Sequence, residues 1–367
     1  MTPAASNVTE TTSNLMQGWV QSRAGFPTDV LSLSLSLPIP NELGDEEVLV
    51  KISCASLNPG ASIIMQLVPG LFRTRPSIPE MDFSGTVVRL GRAITKKKRG
   101  QIQMGTEVFG SVPVGAHVSK GKGSLAQYVV VSGEAIHLKP KTLPFDQVAG
   151  MPIAGCSALA LLEAATLKRG DSVLVNGASG GIGSLFVQIA KEAVGESGKV
   201  VAVCSGANVE MVRDLGADEV IDYQEFVPVH EHLAIVFYAQ RFDTVVDCFG
   251  SQQLFLYCER FLRPGMPYVS VGPSVPSYNT INMIYSIGQM IKNLFQPPAL
   301  GGVNRPYRQV TGISNQKGLQ RLAQMATDGL LRVPLDSSWE LKDVLKGYER
   351  LLSHRAKGKI VIQMPVK

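Results

Sequence analysis

A glycine-rich stretch between a short apolar run and an amphipathic helix is the feature that most constrains this fold. The apolar run Ser172–Val175 is short and β-branched, as expected of a buried parallel strand. The glycine stretch Asn176–Gly183 follows directly. A strand, a glycine turn and a helix N-terminus in this order favour a diphosphate, because the backbone can approach the phosphates and the helix dipole attracts negative charge. The apolar residues of the predicted helix recur at helical spacing: Ile182, Leu185, Phe186, Ile189, Ala190 and Ala193.

The glycines match most of the fingerprint of a dinucleotide-binding turn. Gly180 and Gly183 stand at its second and third positions, whereas the first position is Ala178. The flanking strand and helix favour a dinucleotide site. A plain strand-to-helix turn remains the alternative.

The end of the next strand, Lys199–Cys204, bears on which dinucleotide binds. Sites that prefer NAD usually place Asp or Glu about 20 residues past the glycines, where it bonds the ribose hydroxyls. No carboxylate follows Cys204 here, and a small hydroxyl leaves room for a 2′-phosphate. The sequence therefore predicts NADPH rather than NADH, with Ser205 and Asn208 near the phosphate. Ser205 could instead only start a turn, and no arginine follows it, so the positive charge must come from elsewhere.

Composition excludes several classes of protein. The 367 residues suffice for two domains, and 45% hydrophobic with 18% charged residues is typical of a globular chain. The net charge of +5 is scattered and lacks interleaved aromatic and basic residues, so we expect no nucleic-acid binding. The sequence contains no run of 18 apolar residues, so it predicts no membrane span. Five separated cysteines indicate a reduced intracellular protein. Residues 1–15 are polar, without Lys or Arg, and predict a flexible tail in a cytoplasmic rather than a mitochondrial protein.

The periodicity changes along the chain and predicts two domains. Short strands broken by Gly and Pro precede about residue 145, which suggests a small, partly open β-barrel. Strands then alternate with helices, which indicates a doubly wound parallel sheet. The last strand, Lys359–Ile362, could return to the barrel. The predicted organisation is a tail at 1–15, a barrel domain at 16–145 and 311–367, and a dinucleotide-binding domain at 146–310.

Residues 280–310 are the least transparent segment. They hold an apolar helix pattern followed by a Pro/Gly-rich stretch, Gln296–Gly302. The pattern is compatible with a helix packed at a domain or subunit contact, with a mobile lid over an apolar substrate, or with a membrane-surface helix that lacks the usual basic face. The apolar positions of the pattern are Met283, Ile284, Ile287, Met290, Ile291 and Leu294.

Five phrases of the sequence resemble those of the medium-chain dehydrogenase/reductase superfamily. The chain is most similar to its zinc-independent quinone oxidoreductase and enoyl reductase branch. The resemblance implies an α/β fold in which a GroES-like, partly open β-barrel accompanies a Rossmann doubly wound parallel sheet, and it allows a homodimer through the sheet edge. The phrases are Ala55–Pro59, Pro79–Gly85, Gly177–Gly183, Leu215–Tyr223 and Lys357–Val361.

The chain departs from the zinc-dependent dehydrogenases of that superfamily. Their zinc-binding cysteine falls near Leu57 and Asn58, and their Gly-His-Glu motif falls at Glu80–Asp82, where no histidine is present. Tetrahedral zinc needs three or four thiolate or imidazole ligands at fixed distances. His117 and His137 lie outside any ligand spacing, so we expect no metal.

Without zinc, the chemistry must use a substrate that spreads the developing charge itself. A conjugated enone or a quinone meets this need, because hydride addition gives an enolate or a hydroquinone that hydrogen-bond donors can stabilise. The expected activity is NADPH-dependent reduction of an activated C=C bond or quinone, of the kind found in fungal secondary metabolism. A trans-acting enoyl reductase for a polyketide synthase, and a catalytically weak NADPH-sensing protein, are the alternatives.

The resemblance also implies roles for particular residues. Ser157 is expected near the nicotinamide ribose or its phosphate, and Asn58 could orient a substrate carbonyl or only cap the turn before Pro59. Lys357 and Lys359 could supply the positive charge missing after Ser205, or lie in solvent. The remaining expected cofactor contacts are Ser179, Gly180, Gly181 and Ile182 at the diphosphate, Tyr223 beside Ser205, and Cys248, Gly250 and Val271 along the nicotinamide half.

Overall fold

The computed structural model describes residues 14–68, 73–97, 102–274 and 280–365. Most of the expected flexible tail, residues 1–13, lies outside this range, and the first strand begins at Leu15. Among the described residues, no helix is both long and apolar enough to cross a membrane.

Fifteen strands form three sheets in the described chain. Before residue 140 they are β1 Leu15–Gln21, β2 Leu31–Pro38, β3 Glu47–Ser56, β4 Asp82–Leu90, β5 Glu107–Ser111, β6 Tyr128–Ser132 and β7 Ile136–Leu138. After it they are β8 Ser172–Asn176, β9 Lys199–Cys204, β10 Glu219–Asp222, β11 Thr244–Asp247, β12 Tyr268–Ser270, β13 Tyr307–Gln309, β14 Leu335–Glu340 and β15 Lys359–Gln363.

Helices lie between these strands along the chain. The first six are α1 Pro27–Val30, α2 Pro59–Leu67, α3 Arg92–Lys97, α4 Val114–Lys120, α5 Phe145–Ala149 and α6 Pro152–Ala165. They are followed by α7 Gly183–Val194, α8 Val209–Asp214, α9 Val229–Val236, α10 Gln252–Tyr257, α11 Thr280–Phe295, α12 Gln316–Thr327 and α13 Val344–Leu352.

The six-stranded sheet is parallel and has the order β10-β9-β8-β11-β12-β13. The chain winds outward from β8 in one direction and from β11 in the other. This confirms the expected doubly wound sheet. The order reverses between β8 and β11, and ligands of such sheets bind in the crevice outside the carboxyl ends at this switch point. The glycine turn after β8 therefore lies where a ligand is expected.

The barrel sheet follows the path β14-β15-β3-β4-β5-β7, with β6 also paired to β3. β15 pairs antiparallel with β3, where Val361 lies opposite Ser56, so the last strand does return to the barrel. The expected barrel is thereby confirmed. β1 and β2 form a separate hairpin, which is tied to the body where the indole nitrogen of Trp19 donates to the Leu341 carbonyl at 2.6 Å.

The barrel and the parallel sheet have separate apolar cores. The core on one face of the parallel sheet includes Leu319, Leu322 and Val333, all fully or nearly fully buried. The segment 316–333 thus packs with the dinucleotide-binding domain, whereas the periodicity of the sequence predicts a barrel domain from residue 311 onward. By its packing, the chain rejoins the barrel at β14.

Candidate functional site

The turn between β8 and α7 has the geometry of a diphosphate cradle. Gly177 adopts a left-handed conformation with φ of 70°. A Cβ atom on Gly183 would overlap the carbonyl oxygen of Gly177, so only glycine lets the helix pack this closely on the turn. No side chain caps the N-terminus of α7 at Ile182. Its N–H groups and dipole therefore favour an anion at Ser179–Ile182, as expected from the sequence.

A buried carboxylate organises the neighbouring turn after β11. Asp247 is fully buried and accepts hydrogen bonds from the backbone N–H groups of residues 249–251 at 2.6–3.0 Å. It also accepts from the Asn176 amide at 2.8 Å and from the Tyr268 hydroxyl at 2.7 Å. Because Asn176 ends β8, Asp247 holds the turns on both sides of the switch point in one arrangement.

The residues expected along the nicotinamide half lie at this same edge. Gly250 has φ of 91°, and a Cβ atom there would overlap the carbonyl oxygen of Gly272. Val271 donates its N–H to the Asp247 carbonyl at 3.2 Å. Cys248 follows Asp247, and burial raises the pKa of its thiol above the ordinary range. The structure thus brings Cys248, Gly250 and Val271 together beside the glycine turn.

A small polar cluster occupies the place expected for the adenosine end. The Asn208 amide donates to the hydroxyls of Ser179 at 3.1 Å and Ser205 at 3.0 Å. Tyr223, half exposed, begins the turn after β10 and donates its N–H to the Cys204 carbonyl at 3.0 Å. Ser179, Ser205 and Asn208 therefore form one contiguous donor and acceptor surface next to the diphosphate cradle.

A carboxylate that the sequence does not point to lies close by. Asp222 pairs with Cys204 across β10 and β9, and a Cβ atom on Gly206 would overlap its carboxylate. One carboxylate oxygen accepts from the Gln224 N–H at 2.8 Å. Spacing along the chain cannot reveal this neighbour, because it belongs to a different strand.

The returning segment before β15 contacts the diphosphate turn. The Gly358 N–H donates to the Ser179 carbonyl at 2.8 Å. The preceding residue, Lys357, is exposed and donates its N–H to Asp336 at 2.9 Å. Arg350 in turn binds Asp336 through two hydrogen bonds of 2.8 and 2.6 Å. Lys357 therefore stands on a braced turn, one residue before the contact with Ser179.

Lys359 points in a different direction, into the joint between the two domains. Its stem passes over Gly150 and Gly181, whose missing Cβ atoms would lie 2.9 Å from Cγ and 3.1 Å from Cδ. Its amino group donates to Asn58 Oδ1 at 2.7 Å and to the Leu57 carbonyl at 3.3 Å. Lys359 is one of the two lysines considered as charge partners for Ser205, but its amino group is bound at Asn58.

The side chain of Asn58 is fully engaged by the protein. Its amide nitrogen donates to Asp82 at 3.0 Å and to the Ser56 carbonyl at 3.3 Å, while its oxygen accepts from Lys359. Asn58 precedes α2, but its side chain makes no capping hydrogen bond. The amide therefore fixes the position of Lys359 instead of stabilising the turn at Pro59.

Two buried carboxyl groups complete this cluster. Burial raises the pKa of Glu80 to about 8 and that of Asp82 to about 6, although Lys359 nearby favours their charged forms. Burial lowers the pKa of Lys359. Glu80 accepts from the Tyr348 hydroxyl at 2.8 Å and from the Asn58 N–H at 3.1 Å. The sequence hints at this cluster only through two acidic residues spaced around one apolar residue at the start of a buried strand.

Ser157 lies near this cluster on α6. Its hydroxyl donates to the Ile153 carbonyl at 2.7 Å, and the Ile153 N–H donates to Asp82 at 3.2 Å. A Cβ atom on Gly312 would overlap Ser157, so the segment that follows β13 passes directly over it. Ser157 is 4% exposed and lies between the cluster and this covering segment.

Two family profiles match the chain. Residues 44–141 match the profile described as alcohol dehydrogenase GroES-like domain, and residues 215–362 match the one described as zinc-binding dehydrogenase. A trans-enoyl reductase of Penicillium oxalicum is 30% identical over an alignment of 383 positions, which spans 96% of this chain and 99% of that protein. The chloroplastic NADPH-dependent alkenal/one oxidoreductase of Arabidopsis thaliana is 37% identical over 301 residues, which cover 79% and 72%.

The residues present do not fit a zinc ion, despite the second profile's description. The described residues contain no group of three or more His, Cys, Asp or Glu side chains placed to share one. Glu80 and Asp82 have the Lys359 amino group beside them, where a cation would be repelled if that group were protonated. Burial raises the pKa of Cys54 to about 12, which opposes the thiolate that zinc requires.

A solved structure supports the family indicated by the two profiles and the relatives. The quinone oxidoreductase of Coxiella burnetii superimposes with a TM-score of 0.76 at 26% identity, covering 95% of this chain and 99% of that one. The chain therefore belongs to the medium-chain dehydrogenase/reductase superfamily and is an oxidoreductase of its enoyl and quinone reductase type.

Proposed function

We propose that the protein uses NADPH to reduce an activated C=C bond of an enone, or a quinone, without a metal. When bound, the nicotinamide supplies the hydride. The observation that carries the proposal is the link between the two halves of the site. Gly358 joins the diphosphate turn at Ser179, and the next residue, Lys359, delivers a buried hydrogen-bond donor to Asn58.

The polar cluster at the adenosine end supports NADPH over NADH. The hydroxyls of Ser179 and Ser205 can donate to a phosphate while the Asn208 amide holds both in place, and no carboxylate occupies the positions directly after β9. Asp222 would oppose a 2′-phosphate, so a cation is needed nearby. Lys357 is exposed and adjoins the residue that contacts Ser179. We assign it the role of charge partner.

Replacing this lysine tests the assignment. Lys357→Gln should raise the KM for NADPH at least 10-fold and leave the KM for NADH within 2-fold, because a charge-assisted contact to phosphate is worth about 1.5–3 kcal/mol. Lys168→Gln, which alters another exposed lysine, before β8, is the matched control. Equal changes for both cofactors would contradict the role.

Lys359 is proposed to stabilise the oxygen of the reduced substrate. An amino group can donate up to three hydrogen bonds when protonated, and the protein takes two of them at Asn58 and Leu57. A further hydrogen can serve the developing enolate or hydroquinone oxygen. Asn58 then acts through Lys359, as a positioning residue that is itself fixed by Asp82. Hydride addition forms a C–H bond and moves an electron pair onto the oxygen or the α-carbon, which solvent water can then protonate.

Substitution of Lys359 separates this role from a structural one. Lys359→Met should lower kcat with an enone at least 100-fold while NADPH affinity, read from quenching of cofactor fluorescence, changes less than 5-fold. Because the site is buried, thermal denaturation should establish that the variant folds. If turnover and affinity fall together, Lys359 holds the cofactor and does not stabilise the substrate oxygen.

A trans-acting enoyl reductase is the second candidate, and one observation favours it. The match to the fungal trans-enoyl reductase spans 96% of this chain and 99% of that protein. Oxidation of NADPH should be followed with free enones, quinones, short enoyl thioesters of pantetheine, and the same acyl groups on a carrier protein. Turnover of the carrier-bound substrate alone would identify the second function. Tight NADPH binding without turnover of any substrate would instead indicate a sensor.

The proposed compartment is the cytoplasm. All five cysteines are free thiols, and four of them are buried. This is typical of proteins that fold under reducing conditions. Fractionation of cells that express a tagged full chain tests this proposal.

A further inference from the structure

The helix α11 turns its apolar side away from the protein. Five of its large apolar side chains are at least half exposed: Ile281 at 79%, Ile284 at 66%, Tyr285 at 63%, Ile291 at 50% and Phe295 at 76%. A surface helix normally buries its apolar stripe and exposes its polar one. The helix pattern recognised in the sequence is thus present, but most of its apolar positions are exposed.

Polar groups hold the opposite side of the helix to the body. Asn293 exchanges two hydrogen bonds of 2.9 Å with Gln252, amide to amide. Ser286 on the same side is 5% exposed. The helix is therefore anchored in a defined orientation, and its outward face is a fixed surface.

The exposed area is large for a single chain. Together with Ile287, Leu294 and Leu300, these side chains leave apolar surface on the order of 1,000 Å² in contact with solvent. The largest apolar patch of a typical monomer is about 300–600 Å². Each partner in a stable complex buries about 800 Å². The patch is thus large enough for one side of a stable interface.

A glycine lies at the centre of the stripe. Gly288 follows Ile281, Ile284 and Tyr285 and precedes Ile291 and Phe295, at intervals of three and four residues or their sums. A Cβ atom added to it would meet nothing within 4 Å, so the chain itself does not require glycine there. Glycine inside a helix costs about 1 kcal/mol relative to alanine. A small residue at such a point lets a second helix approach closely.

We propose that two copies of the protein associate through α11, with the helices antiparallel and a twofold axis passing at Gly288. In this arrangement a residue that precedes Gly288 by a given number of positions faces the residue that follows Gly288 by the same number on the partner. Ile281 then meets Phe295, and Tyr285 meets Ile291. The arrangement is self-complementary, as a twofold interface requires.

The charge on the stripe selects this arrangement. Lys292 is its charged residue, and in the antiparallel pair it lies opposite Ile284, where its stem can pack while its amino group reaches solvent. A parallel pair would place the two Lys292 residues together. The stripe carries no second charge that would match an acidic or a basic partner, which favours a second copy over a different protein.

Sedimentation velocity on the full chain over 1–100 µM tests the proposal. The wild type should be dimeric in the micromolar range, and the double variant Ile284→Asp/Ile291→Asp should associate at least 100-fold more weakly. The control Ile235→Asp alters an isoleucine that is 77% exposed on α9 and should remain dimeric. A wild type that stays monomeric at 100 µM overturns the proposal. A double variant that stays dimeric also overturns it and would point to the free edge of the parallel sheet.

A cysteine at the axis gives an independent readout. Gly288→Cys should form a covalent dimer on mild oxidation, reversible by dithiothreitol, because the two thiols would face each other across the twofold axis. Ile235→Cys should not. Four native cysteines are buried, which keeps the background low. Equal cross-linking of both variants would contradict the placement of the axis.

Discussion

Substituting Glu80 by glutamine should change the pH dependence of stability in a defined direction. Burial raises the pKa of Glu80 to about 8 in the folded protein, whereas an unfolded chain has a value near 4.3. Between these values the folded state binds more protons than the unfolded state. The free energy of unfolding therefore falls as pH rises from about 4.3 to about 8, and Glu80→Gln should remove this loss.

The magnitude follows from the size of the pKa difference. One pKa unit corresponds to about 1.4 kcal/mol, so the loss from Glu80 is on the order of 5 kcal/mol at pH 8 and above. Glutamine resembles the protonated acid, since its oxygen can accept from the Asn58 N–H and its nitrogen can donate to Tyr348. At pH 5, where Glu80 is protonated in the folded protein, wild type and variant should differ by less than about 1 kcal/mol.

Urea unfolding at pH 5, 7 and 8.5 measures the difference. The advantage of Glu80→Gln should grow steadily across this range, while activity at pH 7 stays within 3-fold of wild type. Glu340→Gln, at an exposed residue paired with Lys342, is the control and should shift stability by less than about 1 kcal/mol at every pH. Parallel curves for wild type and Glu80→Gln would refute the assignment of a neutral acid at this position.

Three further substitutions test other parts of the site. Gly183→Ala should cost about 2–4 kcal/mol of stability and weaken NADPH binding at least 10-fold, because the new methyl overlaps the Gly177 carbonyl. The control Gly115→Ala, in open space on α4, should be neutral or stabilising in the same melting and titration experiments. Asp247→Asn replaces a carboxylate oxygen with an amide NH2 that faces backbone hydrogen-bond donors, so it should cost about 2–4 kcal/mol of stability. NADPH affinity, measured by calorimetry, should fall with it. An unchanged melting temperature would contradict the organising role of Asp247. Tyr348→Phe removes one buried hydrogen bond and should lower stability by about 1 kcal/mol at pH 7, and a gain in stability would speak against that bond.

Local patterns account for the parts of the fold that could be foreseen from the sequence. The strand Lys199–Cys204 and the helix after Gly183 follow directly from apolar periodicity and the glycine turn, and the structure shows both. The returning strand β15 is equally recognisable in the sequence as a β-branched run. These features depend on neighbours along the chain, so a single sequence contains them.

Contacts between distant segments could not be foreseen. Lys359 and Asn58 are 301 positions apart, and nothing in either segment indicates that the amino group turns to the barrel and not to Ser205. Asp222 reaches Gly206 only through the pairing of β9 with β10. The outward apolar face of α11 has the same sequence pattern as a buried helix. Its orientation depends instead on the polar anchor between Asn293 and Gln252.

The central claim is a phosphorylated nicotinamide nucleotide bound at the switch point and used without a metal. Steady-state kinetics with an enone should be measured with NADPH and with NADH, on protein treated with a strong chelator and assayed for zinc. The account predicts full activity in metal-free protein and a kcat/KM at least 10-fold higher with NADPH. A preference for NADH, or activity that returns only when zinc is added, would contradict it.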